Sequence, residues 1–231
     1  MCANYIPARP DSLSRHFGVA PPADIFKPEA FPGYAAPVIR LPHGEDATET
    51  PACETAVFGM IPAWADMKMA KMTYNARTET VAEKPSFRHA WKKGQFCIVP
   101  AESIFEPSYE SGHAVRWNIA HADGLPLAVA GIWEWRKNGP DGRPLLSFSM
   151  LTINADDHAL MRRFHRPTDE KRMLVFLEPH EVENWLHTGS EEARSFLTPY
   201  PAERLVAKPA PIASGSRRKT PSRKPELPGL F

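Results

Sequence analysis

The chain has 231 residues, 42% of them hydrophobic and 24% charged, which suits a soluble globular protein long enough to bury one large core. A net charge of +1 excludes a globally basic nucleic-acid binder, so any DNA contact by the folded part must rest on a local basic patch. No run of about 18 apolar residues predicts a membrane span, and no charged-then-apolar leader predicts secretion.

The chain opens MCANYIPARP. If Met1 is trimmed, Cys2 carries a free amine with a pKa of about 8 beside a thiol with a pKa of about 8.5, both partly deprotonated near neutral pH. Taken alone, Cys2 reads as an incidental residue at a frayed end. The three cysteines, Cys2, Cys53 and Cys97, lack CxxC spacing, which argues against a disulfide framework or a zinc site and for a reducing, cytoplasmic location. No metal or cofactor motif is found, and none is expected to be needed.

Helical patterning is expected around 11–17, then at 84–93, 155–164 and 178–187. In the last of these Val182, Trp185 and Leu186 share a face. Runs rich in branched and aromatic residues predict strands at 36–41, 55–61, 95–100, 103–107, 114–120, 126–135, 145–153 and 172–177. NGPDGRP (138–144) predicts a turn joining two of them. Strands in runs with a few helices indicate an α+β domain on antiparallel sheet. Residues 207–231 hold six basic side chains against Glu226, about +5, leaving roughly −4 for the rest. With five prolines among those charges, the segment is expected to be a disordered tail.

Three local patterns could serve Cys2. In YNARTET (74–80), Asn75, Arg77 and Glu79 alternate, so an extended segment would present all three on one face, suited to a phosphate or sugar; a solvated strand face is the plainer reading. In IFEPSYE (104–110), Glu106 lies between Phe105 and Pro107, where apolar neighbours would raise its pKa toward general-acid use; an exposed loop carboxylate is the plainer reading. In MLTINADDHALMRRFHRPTDEKRM (150–173), a strand ends near Thr152, a helix is expected to follow, and His165 comes next. A lone histidine is usually structural, but this one leads from a helix into a strand and could face a site.

The ordered set Met1-Cys2, GYAAP (33–37), FGMIPAW (58–64), YNARTET, PAESIFEP (100–107), AGIWEW (130–135), LTINAD (151–156) and His165 ahead of Arg172-Met173 resembles the SOS response-associated peptidase family. Members of that family crosslink to abasic sites in single-stranded DNA. The resemblance runs from residue 2 to about 187 and implies catalytic roles for Cys2 as nucleophile, Asn75, Glu106 and His165. It implies DNA contact by Arg77, Trp64 and Pro37, and extends the DNA-binding set to Asn4, Thr152 and Glu79. The chain departs from the family's commoner forms at three places: Asn4 where a basic residue is usual, Pro107 after Glu106 where Trp is commoner, and a longer loop between His165 and Arg172.

The expected architecture is a single α+β domain over 2–206, a mainly antiparallel, barrel-like sheet with a few peripheral helices, followed by the tail. The expected partner is single-stranded DNA containing an abasic site, bound by a monomer that joins the nucleoid when on DNA. The expected chemistry condenses the Cys2 amine with the open-ring aldehyde and closes a thiazolidine through the thiol; His165 or Glu106 protonates the sugar ring oxygen. Arg88, Arg116, Arg162 and Arg163 are candidates for tracking phosphates. Two rival readings stay open: a peptidase or amidohydrolase using Cys2 with His165 and Glu106, and a non-enzymatic single-strand binding module.

Overall fold

The computed structural model describes residues 2–43, 48–139 and 142–212. Eleven strands are joined by three short α-helices: β1 (Tyr5–Pro7), α1 (Pro10–Phe17), β2 (Ala35–Arg40), β3 (Ala52–Phe58), β4 (Asn75–Arg77), α2 (Arg88–Lys92), β5 (Phe96–Ser108), β6 (Val115–His121), β7 (Leu127–Arg136), β8 (Leu145–Asn154), β9 (Arg172–Leu174), β10 (Phe176–Leu177), α3 (Val182–His187) and β11 (Leu205–Pro209). Strands β5, β2, β3, β8 and β7 close a barrel: β3–β8 pair parallel and the other four contacts are antiparallel. The α+β, barrel-like expectation is met. Closure removes the sheet edges that an open layer would leave unpaired.

The core is built of buried side chains on both faces of the barrel wall, among them Tyr5, Phe58, Phe148, Phe96 and Ile98. Phe58 stacks on Phe148 and meets Tyr5 edge-on. Trp185 of α3 is fully buried and donates its indole N–H to the Cys97 carbonyl at 2.9 Å, tying the helix to the barrel wall.

Sequence and structure differ most at four places. The two strands expected at 95–100 and 103–107 are one strand, β5, which changes partners along its length. Phe96–Ala101 pairs with β7, Ala101–Ile104 with β1 and Ile104–Ser108 with β6. Pro100, still opposite Ala128 of β7, sits near the switch, and its carbonyl accepts from the Ala8 N–H at 2.9 Å. The helix expected at 155–164 is a run of turns with a short 3₁₀ segment, Met161–Arg163. There His158 Nδ1 accepts from the N–H groups of Leu160 and Met161, taking donors that an α-helix would direct to its own carbonyls. Of the helix expected at 84–93, only Arg88–Lys92 is helical. Finally, β11 extends to Pro209 in register with Trp117 of β6, so folded chain passes the expected boundary at 206. Residues 213–231 of the expected tail, and Pro140 and Asp141 of the expected turn, lie outside the described residues. No described helix is long and apolar enough to cross a membrane.

Candidate functional site

The start of the chain is threaded into one end of the barrel. Tyr5 and Ile6 pair with Ile104 and Ser103 of β5, and the Phe105 N–H donates to the Asn4 carbonyl at 3.0 Å. This zipper carries Cys2 to the Phe105–Glu106 stretch of β5. Its side chain is 1% exposed, and its thiol donates to the Asn4 carbonyl at 3.3 Å. Burial, then the Glu106 charge, pushes the thiol up to about 12. The sequence reading of a partly ionised thiol is corrected accordingly: at rest this sulfur is protonated.

Glu106 is 2% exposed and lies opposite Trp117 on β6. Burial raises its carboxyl to about 7, against the pull of positive charge at the chain's start. The raised acid inferred from Phe105 and Pro107 is present, because the strand places the side chain in the barrel end rather than on a loop. His165 reaches Glu106 from the long loop after β8. Its N–H donates to the Pro107 carbonyl at 2.8 Å, and Ser108 bridges to Phe164. Its backbone has φ of 64°, the one left-handed non-glycine among the described residues, a strained conformation that the surrounding contacts hold.

His165 Nε2 lies 3.1 Å from the Arg172 carbonyl and Nδ1 lies 3.5 Å from Glu106 Oε2. A carbonyl only accepts, so Nε2 carries the ring proton and the Nδ1 lone pair faces Glu106. Burial, then the chain's starting charge, lowers His165 to about 4. At neutral pH the two groups are therefore a neutral imidazole beside a carboxyl near its titration point, not an ion pair. A proton on Glu106 can point at Nδ1 or move to a substrate.

Asn75 leads β4, which runs parallel to β8 with Asn75 opposite Met150 and Arg77 opposite Thr152. The Asn75 amide donates to the Tyr74 carbonyl at 3.0 Å, while its Oδ1 is buried with no hydrogen-bond partner among the described residues. An unused buried acceptor is costly and fits a site that awaits a donor. The expected row of Asn75, Arg77 and Glu79 is corrected: extension stops at Arg77, and Glu79 lies in the following turn. Its carboxylate binds Arg172 through both oxygens, at 2.8 and 2.9 Å.

Thr152 is 1% exposed, and its carbonyl accepts from Arg172 at 2.7 Å. It positions Arg172 and offers no surface to DNA. Pro37 is buried within β2 opposite Thr55, likewise without surface to offer. Trp64 is 63% exposed on the loop after β3. That loop leaves the barrel at Gly59, whose φ of 110° and 2.2 Å Cβ clearance to the Ala70 carbonyl exclude any side chain. Asn4 is buried, donates to the Ala30 carbonyl at 3.2 Å, and accepts from Arg116 at 2.5 Å.

Two residues matter more than their sequence context indicated. Arg116 stands opposite Pro107 on β6, lies 3.3 Å from the Phe105 ring centroid and pairs with Glu29. Among the scattered arginines it is the one placed at the site, and strand register was the signal that could have found it. Arg172, 2% exposed, gathers Glu79, Glu170 and Thr152 while its carbonyl orients His165. Arg163, by contrast, makes an exposed pair with Glu110. A cavity of about 370 Å³ is lined by Tyr74, Arg77, His165, Asp169, Glu170 and Arg172, room for a sugar and its phosphate. No cluster of three or more His, Cys, Asp or Glu among the described residues could hold a metal ion.

Solved structures share this architecture. A crystal structure of a Bordetella bronchiseptica protein superposes with a TM-score of 0.81 at 36% identity, covering 91% of this chain and all of that one. A Bacteroides thetaiotaomicron protein at 24% identity and a TM-score of 0.74 shares the fold. The chain is 33% identical over 155 residues to the abasic site processing protein YoqW of Bacillus subtilis, covering 65% of each. It is 25% identical over 188 residues to the abasic site processing protein HMCES of Xenopus tropicalis, covering 71% of this chain and 54% of the relative. The chain thus spans about two thirds of the first relative and about half of the second. The model of the family SOS response associated peptidase (SRAP) matches residues 1–213, and this chain belongs to that family.

Proposed function

We propose that this protein processes abasic sites by covalent capture: Cys2, freed of Met1, condenses with the open-ring aldehyde of an abasic deoxyribose in single-stranded DNA. The carrying observation is that the chain's start is zipped to β5 so that Cys2 lies buried within electrostatic reach of Glu106, whose Oε2 is 3.5 Å from His165 Nδ1. The relatives named for abasic site processing point the same way.

The steps follow from the protonation states. Glu106, protonated below about 7, donates to the ring oxygen as the C1–ring-oxygen bond breaks, and the C1 hydroxyl gives up its proton to solvent as the aldehyde forms. The Cys2 amine attacks the aldehyde carbon and loses water to give an imine. The Cys2 sulfur then adds to that carbon, a C–S bond forms, and the thiol proton ends on the former imine nitrogen. Because the thiol is protonated at rest, its proton needs a carrier, and the Glu106 carboxylate left by the first step can serve. The Asn75 Oδ1 acceptor can hold the amine N–H. An internal cysteine has no free amine and could not close this ring, which gives position 2 its meaning.

The peptidase reading fits less well. A cysteine hydrolase relies on a thiolate beside an imidazolium, hence a lowered thiol and a raised histidine. Burial shifts Cys2 and His165 in the opposite directions. The test is a denaturing gel with single-stranded DNA carrying an abasic site. A heat-stable one-to-one adduct lost in Cys2→Ala is expected; turnover of an amide substrate without adduct would refute the proposal. Retention of a shifted band by native gel alone, with Cys2 dispensable, would favour the binding-module reading.

A further inference from the structure

The loop from His165 to Arg172 returns an acid onto the residues that line the site's cavity. Glu170 Oε2 lies 2.8 Å from Arg77 Nη1, and Oε1 lies 2.8 Å from Arg172 Nη1 and 3.3 Å from the Asn154 amide. The hydrogen bonds from Arg172, then that from Asn154, outweigh burial and hold the Glu170 carboxyl below its usual range, so it is charged at neutral pH.

Its two arginine partners are not equivalent. Arg172 is buried and keeps Glu79 and the Thr152 carbonyl whether or not Glu170 stays. Arg77 has a half-exposed side chain, and among the described residues Glu170 is the one carboxylate within ion-pair distance of it. A carboxylate on a guanidinium occupies the donors that a phosphate oxygen would take.

We infer that Glu170 is a built-in competitor for the DNA phosphate: it holds Arg77 in the free protein and releases it when the backbone enters the cavity. The inference rests on the DNA-capture reading proposed above. Magnitude decides what kind of device this is. A partly exposed pair is worth about 1.4- to 5-fold in an equilibrium, so it lowers affinity by that factor rather than closing the site. It therefore weakens reversible binding to every strand, while a lesion, once bonded covalently, is retained. Undamaged single strands are released faster at little loss of capture.

The experiment measures reversible binding in a Cys2→Ala background, by fluorescence anisotropy with a single-stranded oligonucleotide carrying a tetrahydrofuran abasic analogue, which has no aldehyde. Glu170→Gln is expected to bind about 1.4- to 5-fold tighter, the factor corresponding to an exposed ion pair. In an Arg77→Gln background the same change is expected to have no effect. Asp169→Asn, an equal change of charge without the Arg77 contact, should give less than Glu170→Gln. If Gln destabilises the loop, Glu170→Asp, one methylene shorter, should shift affinity in the same direction. Unchanged or weaker binding by Glu170→Gln overturns the inference, as does a gain that persists without Arg77. Absence of DNA binding and of adduct in every protein, parent included, would instead overturn the DNA-capture reading and this inference with it.

Discussion

Glu106→Gln separates the chemical use of the buried acid from its structural burden. Burial raises the folded-state carboxyl from 4.5 to about 7, so between those values the folded protein binds a proton that the unfolded chain has released. Stability from this group is therefore present below about pH 4.5, declines as pH rises, and is fully lost above about 7. At about 1.4 kcal/mol per pH unit of displacement, the loss is on the order of 3 kcal/mol. Gln keeps the shape and never ionises. The variant should therefore be more stable than the parent at pH 8 by up to about 3 kcal/mol, with the advantage shrinking toward zero at pH 4.5. Urea unfolding at several pH values measures it. Activity should move the other way: adduct formation at pH 6.5 should slow by about 10²- to 10⁴-fold, the usual worth of one positioned proton donor. In the parent the rate should fall as pH rises through 7; in the variant that limb should be absent. A stability difference that does not depend on pH, or a variant as fast as the parent with the same pH profile, would refute the assignment of a buried, raised acid.

His165, neutral at pH 7, should matter less than Glu106 at that pH: His165→Ala should slow adduct formation by less than Glu106→Gln does, and a reversed order in single-turnover time courses would reassign the acid. Protein from cells should lack Met1 by intact-mass measurement, and Cys2→Ala should give only an imine trappable by borohydride; a fast, heat-stable adduct from that variant would implicate another nucleophile. Arg172→Met removes the partner of Glu79, Glu170 and the Thr152 carbonyl, so unfolding should be easier by about 1–3 kcal/mol; an unchanged midpoint in chemical denaturation would show that the cluster contributes nothing to stability. Truncation after Ile212 leaves β11 whole and should preserve adduct yield at saturating DNA, with at most a modest loss of affinity at low salt; an inactive folded truncation would place the remaining residues in the site.

Local chemistry made much of this protein legible before any fold was known. Branched and aromatic runs marked most of the longer strands because half-buried pleated surfaces select those side chains wherever the strand lies. Cys2 was readable because adjacency of amine and thiol is a covalent fact of its position, and Glu106 because Phe105 and Pro107 announced an apolar setting. Other features depended on residues distant in sequence. The runs 95–100 and 103–107 looked like two strands, but pairing with β7, β1 and β6 in turn makes them one, and Ala8, just after β1, donates to the Pro100 carbonyl at the join. Glu79 looked like a neighbour of Asn75 and Arg77, but a turn after Arg77 and the buried Arg172 claim it. The thiol expected to be partly ionised is buried by the zipper of β1 onto β5, and burial disfavours its charged form. Residue types and spacing therefore indicated which groups can react. Only the closed barrel, by setting depth of burial and strand register, decided which protons those groups hold and which of them meet.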